Sequence, residues 1–522
     1  MHPYIHAKSH PDKPAVILAE SGEVLTYAQL DAASNRAAHL FRKHGLGHDD
    51  VVAFMMENCL DYYGLTWGAQ RSGIRFVCIS SRLTQDETDY ILQNSGAKML
   101  IVSASLASAA QQLTTDLARY AIGGVIADYA DWDAAIAAMP ATPIADERAG
   151  IDMLYSSGTT GRPKGIRIPL PEDPAIAQSN VLVMLGMGLM RFTPDSIYLS
   201  PAPLYHAAPL RWSMTIHKIG GTVVLMKKFD AEAALAAIEK YHVTSSQWVP
   251  THFVRILKLP PETRAKYSHA TLNCAIHAAA PCPAPVKRAM IEYWGPVLEE
   301  YYAGSEGNGL TYIGSEEWIR RADNEGAGSV GKAASGVVHI CADDNETPLP
   351  ARQEGTVFFE SDSSFEYHQD TEKTASSRNS KGWTTLGDVG WMDEDGYLYL
   401  TDRKSFMIIS GGVNIYPQEI ENHLVTHPMV ADVAVIGGPH DEMGEEVIAV
   451  VQPIDMAYAS DSERDAERNA LRDDLTAYAR EKLSGVKVPR RIDFVAELPR
   501  HDTGKLYKRL LRDQYWAAKD TA

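Results

Sequence analysis

The sequence of 522 residues has few cysteines and no long apolar run. Its five cysteines form no C-x-x-C pair, and because their number is odd they do not make a complete set of disulfides. We therefore expect reduced thiols, as in intracellular proteins. The longest apolar stretch, residues 181–190, is too short to span a bilayer, and the first residues lack the basic and apolar regions of a secretory signal. These absences predict a cytoplasmic protein without an integral membrane span.

The chain also lacks an excess of basic residues. Lys and Arg number 49 against 67 Asp and Glu, which gives a formal net charge of −18. A surface of this sign repels nucleic acid and anionic membranes, so we expect neither as a general partner. A single nucleotide remains compatible with this charge, because a small site can be locally positive on an acidic protein. The length predicts about two to four domains.

Hydrophobic patterning predicts layered α/β structure in the first half of the chain. A helix-like run covers residues 27–44, and further helix-like runs alternate with strand-like segments. The strand-like segments are residues 15–18, 51–56, 97–104, 121–127, 196–200, 220–226 and 243–249. This alternation favours two α/β layered subdomains.

The second half of the chain has a different texture. Residues 327–402 contain short strands and turns, which is typical of a β-rich subdomain. The remaining residues mix helix-like and strand-like patterns and are numerous enough for a small α+β domain. We therefore predict a large N-terminal domain over 1–402 and a small C-terminal domain over 403–522.

One run combines glycines, hydroxyls and a lysine: residues 155–165 read YSSGTTGRPKG. Glycines let the backbone wrap closely around a ligand, freed N–H groups form an anion nest, and hydroxyls and a lysine contact phosphate oxygens. The run therefore predicts a phosphate cradle, although an exposed loop of small residues is the structural alternative. The cradle residues are Ser157, Gly158, Thr159, Thr160, Gly161 and Lys164.

Neither this run nor a second glycine-rich run is a Walker A loop. That loop needs Gly-Lys-Ser/Thr before a helix, whereas Pro163 precedes Lys164 and Gly165 follows it. Residues 326–332, GAGSVGK, are followed by alanine instead of the magnesium-binding hydroxyl, and then by a strand-like pattern. We interpret this second run as a turn between strands.

Six further motifs follow in order: LYH at 204–206, YYAGSEG at 301–307, TLGD at 385–388, DRK at 402–404, SGGVNIYP at 410–417 and LPRHDTGK at 498–505. With the glycine-rich run they resemble the adenylate-forming superfamily, which includes acyl- and aryl-CoA ligases, luciferases and peptide-synthetase adenylation domains. The chain looks most like a bacterial fatty-acyl-CoA ligase. The resemblance implies that the small C-terminal domain is mobile.

The resemblance also implies the chemistry. A carboxylic acid attacks the α-phosphorus of ATP, releasing pyrophosphate, and a thiol then displaces AMP. ATP, Mg²⁺ and coenzyme A would be the cofactors and co-substrates, with Glu306 holding the metal. Lys505, Glu306 and Thr160 would be the catalytic residues. Besides the cradle, the implied ATP contacts are Ala279, Tyr302, Ser305, Asp388, Arg403 and Lys505.

Several of these residues have structural alternatives. Tyr302 could be a core residue, Asp388 a turn residue and Lys505 an exposed lysine of a basic tail. The implied hinge position is Ser405, where many members carry Asp or Lys, so the hinge residue stays open. Gly411 and Gly412 match the loop that meets the pantetheine tunnel.

The acyl pocket is expected at His206, Trp248, Phe253 and Ala278, which make an apolar, partly aromatic wall. No acidic residue occurs between His206 and Arg211, which disfavours an α-amino acid substrate. Fatty, aryl and sterol side-chain acids all stay open.

Coenzyme A is the expected acceptor, because no carrier-protein serine motif follows Lys505. Transfer to a separate carrier protein, a luciferase-like oxidoreductase and a non-catalytic nucleotide-binding protein are the alternatives. The oligomeric state is open, with a homodimer among the alternatives.

Overall fold

The structure is a computed structural model that describes residues 1–156, 162–325, 328–455, 465–500 and 506–520. Its first helices begin where the sequence supplies capping groups. Thr26 and Gln29 form a reciprocal capping box at the start of α2, and Thr84 and Glu87 form another at α4. The helices are α1 (Pro3–Ser9), α2 (Tyr27–Lys43), α3 (Asp61–Arg71), α4 (Gln85–Ser95), α5 (Ala107–Ala110), α6 (Trp132–Ala137), α7 (Val181–Gly188), α8 (Ala207–Ile219), α9 (Ala231–Lys240), α10 (Pro250–Leu257), α11 (Pro261–Arg264), α12 (Ala284–Trp294), α13 (Ser315–Glu325), α14 (Thr371–Ser376), α15 (Pro417–Leu424), α16 (Asp465–Arg480) and α17 (Lys508–Asp520).

The strands in the N-terminal half are short and mostly buried, as expected where helices cover both faces of a parallel sheet. They are β1 (Pro14–Leu18), β2 (Val24–Thr26), β3 (Val51–Met55), β4 (Arg75–Ile79), β5 (Ala97–Ser103), β6 (Ala118–Ile122), β7 (Ala130–Asp131), β8 (Ile151–Asp152), β9 (Leu154–Ser156), β10 (Lys164–Arg167), β11 (Ile197–Ser200), β12 (Thr222–Leu225), β13 (Ser245–Trp248), β14 (Cys274–His277) and β15 (Leu298–Ala303).

The later strands pair mainly in antiparallel fashion. They are β16 (Leu310–Gly314), β17 (Lys332–Ser335), β18 (Val337–Cys341), β19 (Gly355–Glu360), β20 (Glu366–Tyr367), β21 (Thr384–Met392), β22 (Leu398–Arg403), β23 (Ile408–Ser410), β24 (Val413–Ile415), β25 (Val430–His440), β26 (Gly444–Pro453) and β27 (Arg491–Phe494).

Two large sheets form the N-terminal part of the fold. A nine-stranded sheet has the order β17-β16-β15-β14-β13-β11-β12-β1-β2, with parallel pairing from β15 to β1 and antiparallel strands at both edges. A six-stranded parallel sheet has the order β7-β6-β5-β3-β4-β8. Helices α2 and α3 pack against each other and share one core with both sheets. The predicted α/β layers are therefore confirmed.

The β-rich part consists of two smaller sheets. Strands β18-β19-β21-β22 form an antiparallel four-stranded sheet, and β20-β10-β9 form a three-stranded one. The second of these holds both described ends of the glycine-rich run, because Lys164 of β10 pairs with Ser156 of β9. Ser157, Gly158, Thr159, Thr160 and Gly161 lie outside the described residues.

The C-terminal part has its own sheet, β24-β23-β26-β25, with β27 added parallel to β26. Ile408, Ile420, Val435 and Leu475 belong to a core separate from those of the N-terminal sheets. The chain leaves the four-stranded sheet after Arg403, where the last pair is Asp388 with Arg403. A large N-terminal and a small C-terminal unit are confirmed, while the exact boundary at 402/403 stays a prediction.

Two local predictions need correction. The strand expected at 121–127 ends at Ile122, because Gly123 takes a φ of 71° that an extended strand does not allow. The run at 326–332 was expected between two strands, but its described part, 328–331, links α13 to β17. Helix α13 takes the place of the preceding strand, and its buried Trp318 and Ala322 pack into an apolar core.

None of the helices in the described ranges combines the length and the apolar character that a bilayer-crossing helix needs.

Candidate active site

A cavity of about 1740 Å³ lies at the carboxyl ends of the central parallel strands, where open α/β sheets bind ligands. It brings together parts of the chain that are distant in sequence. Strands β13 and β14 contribute Trp248 and the adjacent Ala278, and helix α8 contributes one face. Leu506 and Tyr507, from the C-terminal part, complete the lining. His206, Trp248, Ala278, Ala279 and Ser305 are the predicted site residues that line it.

A second cavity of about 440 Å³ lies between the N- and C-terminal parts. Its lining includes Tyr302, Asp388 and Arg403. Ala278 and Ala279 line both cavities, so the two meet at the end of β14.

Asp388 is held by two predicted nucleotide residues. The Tyr302 hydroxyl donates to Asp388 Oδ2 at 2.6 Å, and Arg403 Nε lies 3.0 Å from Oδ1. The strand register produces this contact, because Asp388 of β21 pairs directly with Arg403 of β22. The Asp388 carboxylate raises the pKa of the Arg403 guanidinium, and burial followed by Asp388 raises the pKa of Tyr302. The buried carboxylate is thus held in one orientation by two side chains.

Glu306 is oriented by a residue that the sequence motifs did not include. The carboxylate is buried, 8% exposed, and accepts a hydrogen bond from the Tyr367 hydroxyl on Oε1 at 2.9 Å. Tyr367 lies on β20, beside the hairpin of the glycine-rich run, because Ile166 of β10 pairs with Tyr367. Burial, and then Glu306, raises the pKa of Tyr367, so the phenol remains a donor.

Lys164 stands at the start of β10, at the edge of the predicted phosphate cradle. Its ammonium is 6.0 Å from the centre of the Tyr367 ring. Burial, and next the charge of Lys373, lowers the pKa of Lys164. The lysine is therefore in a locally positive environment of an otherwise acidic protein.

Arg211 is a site residue that sequence reasoning missed. It lies on α8, and its Nη2 donates to Asp152 at 2.8 Å while Nη1 donates to the Ser305 carbonyl at 3.0 Å. The hydrogen bond to the Ser305 carbonyl links helix α8 to the segment that carries Glu306. The sequence signal that could have indicated Arg211 is helical spacing after His206, which places Arg211 on the same face of α8 as Met214 and Lys218.

Ala279 adopts an unusual backbone conformation at the junction of the cavities. Its φ is 77°, in the left-handed region that residues with a Cβ seldom occupy. It directly follows the end of β14 and Ala278. Such strain persists where the surrounding structure imposes it and is common at ligand sites.

Three of the four residues predicted for the acyl wall line the larger cavity. His206 precedes the first turn of α8, with its ring 4.5 Å from that of Tyr205. Trp248 ends β13, and Ala278 directly follows β14. Phe253 is placed differently: it is fully buried behind Trp248, with ring centres 6.3 Å apart, and does not occur among the described lining residues.

The C-terminal part also carries the predicted site residues Lys505, Gly411, Gly412 and Ser405. Lys505 lies outside the described residues, but its neighbour Leu506 pairs with Arg500 and lines both cavities. Gly411 and Gly412 form a tight turn between β23 and β24, with φ of 56° and 79°, and line neither cavity in the described part of the chain. Ser405 lies in a short 3₁₀ helix between the two parts.

Within the described residues, no group of three or more His, Cys, Asp or Glu side chains is arranged to hold a metal ion. All five cysteines are free thiols. Burial raises the pKa of Cys274 and of Cys282. Cys274 is buried and Cys282 is partly buried.

Comparison with known proteins identifies the family. Residues 4–366 match the AMP-binding enzyme model, and residues 419–505 match the AMP-binding enzyme C-terminal domain. A fatty acid–acyl-carrier-protein ligase of Streptomyces coeruleorubidus is 31% identical over 98% of this chain and 95% of its own length. A long-chain-fatty-acid–CoA ligase of Mycobacterium tuberculosis is 30% identical over 94% of this chain and 93% of its own length.

Comparison with solved structures supports the same family. The fatty acyl-CoA synthetase of Mycobacterium tuberculosis is 28% identical, with a TM-score of 0.69 over 99% of this chain and 98% of its own. ATP-bound MatB of Rhodopseudomonas palustris is 26% identical, with a TM-score of 0.76 over 99% of each chain. These matches span both parts of the fold and both cavities. The chain therefore belongs to the AMP-binding enzyme family, the adenylate-forming superfamily that its motifs resemble.

Proposed function

We propose that this protein activates a hydrophobic carboxylic acid with ATP and transfers the acyl group to coenzyme A. The family consists of adenylate-forming enzymes, and acid–thiol ligases are among the relatives that this chain matches. The observation that carries the proposal is the meeting of the two cavities at Ala278 and Ala279. One cavity presents groups suited to a nucleotide, and the other has an apolar wall suited to an acyl chain.

The smaller cavity suits adenosine. Asp388, held by Tyr302 and Arg403, presents a carboxylate that can accept hydrogen bonds from ribose hydroxyls. Tyr302 offers an aromatic face for the base. The phosphates would then extend past Ala279 toward Lys164 and the cradle residues 157–161.

Glu306 suits a magnesium ion, a hard cation that prefers one or two carboxylates together with phosphate oxygens and waters. Its carboxylate is buried, oriented by Tyr367 and close to Ser305, and we assign it as the protein ligand. Bound there, Mg²⁺ would neutralise charge on the phosphates. Ser305 and Thr160 supply hydroxyls, and Lys164 supplies a positive charge.

In the first half-reaction, a carboxylate oxygen of the substrate bonds to the α-phosphorus and the bond to pyrophosphate breaks. We assign Lys505 to the negative charge that builds up there. Leu506 and Tyr507 line the larger cavity, which supports placing the adjacent residue 505 at this point. In the second half-reaction, the thiol sulfur attacks the acyl carbon and AMP leaves.

The second half-reaction would use a different position of the C-terminal part. We assign residues 403–522 to the moving unit, Ser405 to its hinge, and Gly411 and Gly412 to the pantetheine tunnel. The position of the Gly411–Gly412 turn away from both cavities is what a turning domain requires before the thiol binds.

The acid is proposed to be apolar. Ala207, Ala208 and Met214 of α8 face the larger cavity, with Trp248 and Ala278 opposite. Asp152, a carboxylate in the lining of this cavity, is paired with Arg211, so it does not offer a free negative charge to the ammonium group of an α-amino acid. A fatty or aryl acid fits this wall best.

A carrier-protein thiol is the second candidate acceptor, because a relative at 31% identity is a fatty acid–acyl-carrier-protein ligase. The deciding experiment measures AMP release from a panel of fatty, aryl and sterol side-chain acids, with coenzyme A, with a phosphopantetheinylated carrier protein, or with neither. We expect coenzyme A to stimulate AMP release and acyl-CoA to accumulate. Stimulation by the carrier protein alone would favour the second candidate, and failure of every acid to yield an adenylate would refute the proposed function.

A further inference from the structure

Two lysines lie near the same aromatic ring, next to the predicted phosphate cradle. The ammonium of Lys373 is 5.7 Å from the centre of the Tyr367 ring, and that of Lys164 is 6.0 Å from the same centre. Lys164 belongs to the glycine-rich run. Lys373 belongs to α14 and is part of none of the motifs that identified the family.

The fold brings the two lysines together through a short sheet. Strand β20 pairs with β10 through Ile166 and Tyr367, and α14 starts four residues after Tyr367. Asp370 caps α14 by accepting a hydrogen bond from the Lys373 backbone N–H at 2.8 Å. Lys373 therefore has a fixed backbone position beside the hairpin that carries the cradle.

The far end of the same ring contacts the proposed metal ligand. The Tyr367 hydroxyl donates to Glu306, so the ring is held between a carboxylate and two ammonium groups. An ion bound at Glu306 and an anion bound at the lysines would be adjacent. Tyr367 thus connects the proposed metal position with the two positive charges.

The neighbouring positive charges of Lys164 and Lys373 favour the binding of an anion. The charge of Lys373 is, after burial, the main cause that lowers the pKa of Lys164, which means that the two ammonium groups repel each other. Asp370 opposes this effect on Lys164 only as a weaker contribution. Within the described ranges, neither lysine forms a salt bridge with a carboxylate. A multivalent anion between them would relieve the repulsion.

We propose that Lys373 is a second pyrophosphate-binding cation, which acts with Lys164 on the β- and γ-phosphates of ATP and on the pyrophosphate that leaves. The proposal rests on the proposed function, because it assigns a ligand to the same site. The ligand class is a magnesium-bound polyphosphate. AMP lacks these phosphates, so Lys373 should not contribute to its binding.

The test compares pyrophosphate and AMP binding to the full-length protein by titration calorimetry in the presence of magnesium. Lys373→Met removes the charge and keeps most of the length of the side chain, and Lys373→Arg restores a cation. Lys228→Met, at an exposed lysine that lines neither cavity, is the matched control. For Lys373→Met we expect pyrophosphate affinity to fall about tenfold, as for the loss of one charge-assisted contact, with AMP affinity unchanged.

Lys373→Arg is expected to recover most of the lost affinity, and Lys228→Met to bind like the wild type. Pyrophosphate affinity of Lys373→Met equal to that of the wild type would overturn the proposal, and so would an equal loss of AMP affinity, which indicates a general structural role. A wild-type protein that binds neither AMP nor pyrophosphate would instead refute the proposed function.

Discussion

The Tyr302 hydroxyl donates a 2.6 Å hydrogen bond to Asp388, although 86 residues separate the two in the chain. Tyr302 is the penultimate residue of β15 in the nine-stranded sheet, and Asp388 belongs to β21 of the four-stranded sheet. Arg403 holds the other oxygen of the carboxylate. The smaller cavity is therefore built where two sheets meet, and the Asp388 carboxylate is contacted from both.

Removing this hydroxyl should weaken ATP binding. For Tyr302→Phe we expect the KM for ATP to rise about tenfold with little change in kcat, because a hydrogen bond that orients a charged group contributes roughly 1.5–3 kcal/mol. Steady-state kinetics of AMP release measure both constants. Tyr312→Phe is the matched control, since the Tyr312 hydroxyl also donates to a carboxylate at 2.6 Å, that of Glu299, away from both cavities. Equal effects of the two substitutions would contradict the orienting role.

The Arg211–Asp152 pair should matter for stability. Both side chains are largely buried, so Arg211→Met leaves the Asp152 carboxylate without its cation and should lower the free energy of unfolding by about 3–5 kcal/mol. Urea unfolding followed by tryptophan fluorescence measures the loss. The double variant with Asp152→Asn should recover most of it, because the uncompensated charge is gone. A double variant that is no more stable than the single one would argue against this pairing.

Lys505 should separate the two half-reactions. A positive charge about 4 Å from the reacting phosphate contributes about 4 kcal/mol at an effective dielectric constant near 20, which corresponds to roughly three decades in rate. Lys505→Ala should therefore abolish ATP–pyrophosphate exchange and leave thioester formation from a supplied acyl-adenylate intact. Lys508→Ala, at a neighbouring lysine that pairs with Glu421, serves as a comparison. Exchange that survives in Lys505→Ala would show that the assignment is wrong.

The turn at Gly411 and Gly412 should respond unequally to alanine. Both residues have positive φ, so each substitution should destabilise the protein by about 1–2 kcal/mol through the backbone alone. At Gly411 a Cβ would also lie 2.4 Å from Cε of Met443, whereas at Gly412 it would meet no atom within 4 Å. Because the end of the flexible Met443 side chain can shift, thermal unfolding should show only a slightly larger loss for Gly411→Ala, and Met443→Ala in the same chain should remove the difference. Equal losses without and with the Met443 substitution would contradict the steric contribution.

The same two variants bear on the thioester step. If the turn lines the pantetheine tunnel, Gly412→Ala should slow acyl transfer to coenzyme A more than adenylate formation. Separate assays of the two half-reactions give the comparison. Slowing of both half-reactions to the same extent would remove the turn from the tunnel.

Local patterns predicted the α/β layers well, because helix and strand periodicity depends on neighbouring residues. The helix expected at 27–44 is α2, Tyr27–Lys43, and the strand expected at 51–56 is β3, Val51–Met55. The prediction failed at 326–332, where glycine spacing suggested a turn between strands but a helix precedes. Burial of Trp318 on that helix is a tertiary effect that the local composition does not reveal.

The predicted site residues divide in the same way. Glu306, Asp388 and Arg403 could be predicted, because each lies in a short motif that its neighbouring residues make recognisable. Tyr367 was not indicated, because its role comes from a strand pairing with β10, about 200 residues earlier in the chain. Phe253 was assigned to the acyl wall by its neighbourhood to Trp248, yet its side chain points into the core.

The order and chemistry of the motifs were enough to identify the family and the two-part fold, since each motif is a short segment whose residue types match one chemical task. Which side chains share a cavity was decided by the tertiary structure. Strand register places Asp388 against Arg403, sheet contact adds Tyr302, and β20 brings Tyr367 and Lys373 to Lys164. Contacts of this kind join residues far apart in the chain, and their geometry depends on the packing of whole sheets and helices.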